Sequence, residues 1–154
     1  MKAECVEDLE VYRLAFSIQQ RLFEISKSFP REETYALTDQ MRRAARAVGA
    51  NLAEAWAKRR YPAHFRSKLT DADGEKCETM HWVRTALNCR YVDEATAESI
   101  ATEYAAVGRK LGSMIRDAES WAPRASTAHR SPSTDNRPLP TAHCPPATAH
   151  RQPS

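Results

Sequence analysis

The chain of 154 residues is short of the features that most enzymes and membrane proteins announce. No apolar run approaches the roughly 18 residues a membrane-spanning helix needs, which excludes a helical integral membrane protein. Only four glycines occur, and none forms a Gly-rich phosphate loop. The four cysteines, Cys5, Cys77, Cys89 and Cys144, fall in no CxxC or other zinc-type spacing, so a structural zinc site is not expected. Scattered thiols without a signal peptide suggest a reducing compartment, and the expected location is cytoplasmic. Period-two alternation is missing over any useful length, which leaves no strand pattern. Neither a paired-carboxylate arrangement nor a Ser/His/Asp arrangement is visible, so no catalytic residue, cofactor or metal is expected.

What the sequence does contain is unevenly distributed. Seven of the nine prolines lie after Trp121, in "APRASTAHRSPSTDNRPLPTAHCPPATAHRQPS". That segment has almost no large apolar residues and repeats "TAH" three times, so it cannot offset the entropy of ordering itself. The reading is a folded domain over residues 1–121 and a disordered tail over residues 122–154. The tail holds four arginines against Asp135, which leaves 19 Lys and Arg against 19 Asp and Glu before it. The net charge of +3 therefore belongs to the tail, and the folded part is formally neutral.

Apolar residues recur at helical spacing in four stretches. The first carries Leu9, Tyr12, Phe16 and Phe23 beside Val11, Ala15, Ile18, Leu22, Ile25 and Phe29, and Pro30 ends it. The second carries Leu37, Met41, Ala44, Val48, Leu52 and Ala55, with Thr34 or Thr38 as its expected cap. The third opens at Pro62 and carries Phe65, Leu69, Ala72, Met80, Val83, Leu87 and Tyr91. The fourth, capped by Asp93, carries Ile100, Tyr104, Val107, Leu111, Met114 and Ile115. Gly108 and Gly112 inside it suggest a close helix contact. Four helices joined by short loops predict an all-α, antiparallel up-and-down four-helix bundle.

Between residues 42 and 68 lie eight cations, Arg42, Arg43, Arg46, Lys58, Arg59, Arg60, Arg66 and Lys68, and a single carboxylate, Glu54. At about 100° per residue, Arg42, Arg46 and Arg60 fall opposite the apolar stripe and face solvent. One reading of this run is a phosphate-contacting surface. The other is a solvated helix back whose cations pair with Glu7, Asp8, Glu10 and Glu24 of the first helix. Asn51 is expected to be half-buried and hydrogen-bonded near Gln40, and Glu54 shares a small-residue face with Arg43, Ala47 and Ala50. Cys77 and His81 have metal-compatible spacing but no third ligand, so a core thiol and an ordinary surface or flank histidine are expected.

The stretches "DLEVYRLAF", "FPREETYALTDQMRRAARAVGANLAEAW" and "FRSKLTDADGEKCE" resemble the four helix bundle family of 23S ribosomal RNA intervening-sequence proteins. The likeness runs through Gln40, Arg42, Arg43, Ala44, Ala45, Val48, Asn51, Leu52, Ala53 and Glu54, and covers roughly residues 6–120. It implies a bundle that assembles as a homopentamer and has no established enzyme activity. The branch of clearest role is the accessory variability determinant of diversity-generating retroelements, which works with a reverse transcriptase and RNA. The stretch "VGRKLGSMIRDA" looks similar to that branch. Gly49 stands where the family often has proline, Ala55 and Trp56 where it often has glycine and a polar residue, and Asp71 and Asp73 where apolar residues are common. The resulting expectation is a non-enzymatic oligomer that binds nucleic acid, RNA foremost, through the eight cations. The alternative is a protein-binding scaffold.

Overall fold

The structure, a computed structural model, describes residues 3–123. Helix α1 spans Glu10–Ile25, α2 Asp39–Lys58, α3 Pro62–Asn88 and α4 Glu94–Arg116. Among the described residues there is no strand. The expected tail from residue 124 onward lies outside them.

Each helix packs on its neighbours in sequence, and α1 closes the bundle against α4. Side-chain contacts give the directions. Arg21 on α1 pairs with Glu103 on α4, and Lys110 on α4 with Glu10 at the start of α1, so α1 and α4 run antiparallel. Arg42 meets Ser26 while Gly49 lies beside Gln19, which sets α1 antiparallel to α2. Lys68 reaches back to Glu54 and Asn51 across the α2–α3 corner. This is the up-and-down bundle that the four apolar stripes predict.

The core is the sum of those stripes. Ile18, Leu22, Met41, Val48, Leu52, Phe65, Leu69, Ile100, Val107 and Leu111 are buried almost completely. Helix α3 departs from expectation: Thr79 and Ala86 take core positions, while Met80 and Leu87 are only partly covered. Thr79 is tolerated there because its hydroxyl donates to Glu75 O at 2.8 Å. Phe16, placed in the apolar stripe of α1, is 44% exposed.

The ends of the helices are set by local chemistry. Asp93 caps α4 by accepting from Thr96 N at 2.7 Å, as its sequence position suggests. The expected caps of α2 are corrected: neither Thr34 nor Thr38 caps it. A 3-10 turn at Arg31–Glu33 and a π turn at Thr34–Thr38 run directly into α2, so the backbone is already helical where a cap residue would be extended. The expected close helix contact is found at Gly108, through a side chain of α3, but not at Gly112. The close neighbour at Gly108 is the Lys76 side chain, which a Cβ would meet at 2.9 Å, and at Gly112 a Cβ would meet only Arg116 of the same helix.

Helix α3 ends with Arg90 in the left-handed region at φ 62°. Arg90 N donates to Leu87 O and Tyr91 N to Ala86 O, both at 2.9 Å, which is the paired pattern that favours glycine at this position. An arginine there carries backbone strain. Arg90→Gly is therefore expected to stabilise the fold by about 1 kcal/mol in denaturant titration.

Tyr104 is buried, and its hydroxyl has no hydrogen-bond partner of good geometry among the described residues. Burial pushes its pKa from 10.0 up to about 12, with the Thr79 hydroxyl pulling the other way. Because the folded state holds this proton more tightly than the unfolded chain, the stability it contributes is complete below pH 10 and is lost as the pH climbs toward 12. Phenolate absorbance should show one tyrosine ionising only with alkaline unfolding, and Tyr104→Phe should remove that late phase.

Candidate nucleic-acid interface

Helix α2 buries Met41, Ala44, Ala45, Val48, Gly49, Leu52 and Ala55, so its cations are confined to the remaining arc. The structure divides the eight into three groups.

Arg42 and Arg46 lie on the α1 flank. Arg42 is half-buried and not freely solvent-facing, which corrects the sequence expectation. Its Nε donates to Ser26 Oγ at 2.7 Å, and its guanidinium sits 4.8 Å from the centre of the Phe23 ring. Arg46 is exposed, 5.8 Å from the same ring. Lys27 is the third cation at this ring, at 4.8 Å, and it pairs with Glu24. Arg42 and Arg46 have no carboxylate partner among the described residues. Stacking on an aromatic face holds a guanidinium plane while leaving its N–H edge available.

Arg43 points to the α3 flank. It is exposed and makes no ion pair among the described residues, although its charge lowers the pKa of Glu75 on α3. Burial and Glu78 outweigh it there, so that the Glu75 carboxyl is raised on balance.

The third group surrounds the α2–α3 corner, and most of it is neutralised. Glu54 accepts Lys68 at 3.0 Å and Lys58 at 3.7 Å. Lys68 also reaches Asp71 at 3.3 Å and Asn51 Oδ1 at 3.4 Å. These contacts lower the Glu54 carboxyl, through Lys68 first, and raise the Lys68 ammonium, through Glu54 first and then Asp71. Glu54 is thus an ion-pair hub at the α2–α3 seam, exposed, with two lysines on it. Arg66 binds Glu119 at 3.2 Å and Ile115 O at 3.4 Å. Arg59 folds back over Trp56, 4.0 Å from the ring centre, and donates to Trp56 O at 2.8 Å. Arg60 is exposed and unpaired among the described residues, in the turn after α2 ends at Lys58 and not on the helical face assumed for it.

Of the family-motif residues, Asn51 is half-buried and bonded to Lys68, as expected of a packing amide. Gln40 is half-buried without a side-chain hydrogen bond among the described residues.

The carboxylates expected to neutralise the basic run do not do so. Glu24 takes Lys27, Glu10 takes Lys110, and Asp8 accepts the backbone N–H groups of Glu4 and Cys5. Neutralisation comes instead from Glu54, Asp71 and Glu119. Phe23 and Lys27 were missed as members of the surface. Their four-residue spacing, from α1 into the 3-10 turn that follows it, was legible, but their partners on α2 were not.

Cys77 is exposed on α3, which corrects the expectation of a core thiol, and His81 is exposed as expected and packs on Trp82 at 4.8 Å between ring centres. Among the described residues, no group of three His, Cys, Asp or Glu is arranged to hold a metal ion. No described helix is long and apolar enough to cross a membrane.

A solved structure from Bacteroides thetaiotaomicron, described as a protein of unknown function from the S23 ribosomal protein family, is similar to this chain. It is 25% identical, covers 69% of this chain and 95% of its own, and superposes with a TM-score of 0.62. No curated protein matches the sequence. The family described as 23S rRNA-intervening sequence protein matches over residues 7–113, which takes in α1, α2, α3 and most of α4. The chain belongs to the 23S rRNA-intervening sequence protein family.

Proposed function

We propose that this protein is a non-enzymatic, homo-oligomeric bundle that binds RNA through the cations of α2 and the turn that follows it. The observation that carries the proposal is the fate of the basic run. Lys58, Lys68 and Arg66 are tied to carboxylates, whereas Arg42, Arg43, Arg46, Arg59 and Arg60 have none among the described residues. Arg42 and Arg46 are also oriented on the Phe23 ring, so less side-chain entropy is lost when they grip a phosphate. Membership of a family named for ribosomal RNA intervening sequences supports the same ligand class.

One protomer offers few contacts, and a symmetric assembly repeats them. The homopentamer implied by the family resemblance is part of the proposal, and a native mass near five subunits is the expected result. A role beside a reverse transcriptase in a diversity-generating retroelement is its finer form, supported only by the likeness of residues 107–118. The scaffold alternative has one observation in its favour, the exposed Phe16 stacked on Tyr12. Partners that co-purify after nuclease treatment would favour it.

Titration of a structured RNA at several salt concentrations tests the central proposal. Binding should weaken steeply with salt, and Arg42/Arg46/Arg60→Ala should flatten the slope of log K against log salt by about two to three. Affinity that ignores both salt and the triple change contradicts it.

A further inference from the structure

At the end of the bundle where α2 finishes, a cleft of about 860 Å3 opens between the N-terminal segment and the last turn of the described chain. Leu9, Trp56, Arg59, Trp121 and Pro123 are among the residues that line it. The two indoles meet edge to face with ring centres 6.4 Å apart, and Trp121 rests on the buried Phe65 ring at 6.0 Å. This wall is aromatic, and both indoles keep part of their surface exposed. Asp8 and Glu10 also line the cleft, but Asp8 is engaged by two backbone N–H groups and Glu10 by Lys110.

Three observations bear on what enters it. Arg59 uses one nitrogen on Trp56 O and has no carboxylate partner among the described residues, so most of its five N–H donors remain available. Trp82 Nε1 donates to Glu78, yet neither Trp56 nor Trp121 donates its indole N–H to a protein acceptor among the described residues. Trp56 also lies ten and fourteen residues after Arg46 and Arg42 on α2, about 80° and 40° around the helix from them and roughly 15 to 21 Å along the axis. A strand gripped by the two stacked arginines would need only a few nucleotides to reach the cleft.

We propose that this cleft receives an unpaired nucleobase, which takes the place of the Arg59 guanidinium on the Trp56 ring, edge-on to Trp121, while the displaced Arg59 and Arg60 hold the adjoining phosphates. The inference rests on the RNA-binding reading above and sharpens it: the preferred ligand is single-stranded where it crosses this end of the bundle. A duplex keeps its base faces stacked on one another and cannot offer one to the indoles. Glu10 is neutralised by Lys110 and Asp8 is turned onto the backbone N–H groups of Glu4 and Cys5, so Arg59 is the cleft's cationic side chain.

The three tryptophans make the test direct. In a Trp82→Phe background, emission comes from the cleft pair alone. An oligoadenylate of about ten nucleotides should quench that emission and bind about tenfold more tightly than the oligoadenylate–oligouridylate duplex of equal length. Trp56→Ala should remove the preference for the single strand while leaving the salt-dependent binding of both ligands. Arg59→Gln should weaken oligoadenylate several-fold, and by clearly more than it weakens the duplex. Salt-dependent binding of both ligands with no quenching and no preference overturns the base cleft but leaves the α2 phosphate surface intact. No binding of either ligand overturns both.

Discussion

Burial of one stripe of α2 constrains everything else on this surface. Met41, Ala44, Ala45, Val48, Leu52 and Ala55 are each no more than 2% exposed, and that single requirement fixes the rotation of the helix between α1 and α3. Leucine or methionine truncation at such sites typically costs about 2 to 5 kcal/mol, far more than any exposed ion pair contributes. The charges therefore follow the core. Arg42 and Arg46 are turned toward Phe23 of α1, Arg43 toward Glu75 of α3, and Glu54 toward Lys68.

A formally neutral domain can still carry a cationic face if its carboxylates are engaged elsewhere. Glu10, Glu24 and Asp8 are held by Lys110, Lys27 and the backbone of the N-terminal segment. Exposed pairs of this kind add little stability, but they remove competitors for the arginines of α2. Of the eight cations in the basic run, Arg42 and Arg46 lie unpaired beside Phe23, Arg43 on the α3 flank, and Arg59 and Arg60 at the end of α2, among the described residues. Aromatic rings lie beside Arg42, Arg46 and Arg59 where carboxylates would otherwise hold them.

Much of this architecture was legible in the sequence, because helical periodicity reports burial directly. The stripes of α2 and α4 match the buried residues almost position for position, and Asp93 caps α4 as its place before "EAT" suggests. The start of α2 was misread because a π turn continues into it, a backbone choice that Thr34 and Thr38 do not signal. Thr79 escaped notice because a threonine enters a core only when a carbonyl four residues back takes its hydroxyl. For the candidate surface, the eight cations were visible and their partners were not. Arg66 pairs with Glu119, 53 residues away, and Arg42 stacks on a ring from another helix. Such pairings depend on helix rotation and register, which composition does not carry.

The most direct test of the account is a photo-crosslinking map of bound RNA on the full chain. Crosslinked peptides should cluster on the segment containing Arg42 and Arg46 and on the segment from Trp56 to Arg60. Crosslinks confined to the far faces, around Arg84 on α3 or Arg109 and Arg116 on α4, would contradict the claim that the unpaired cations of α2 form the RNA-binding surface.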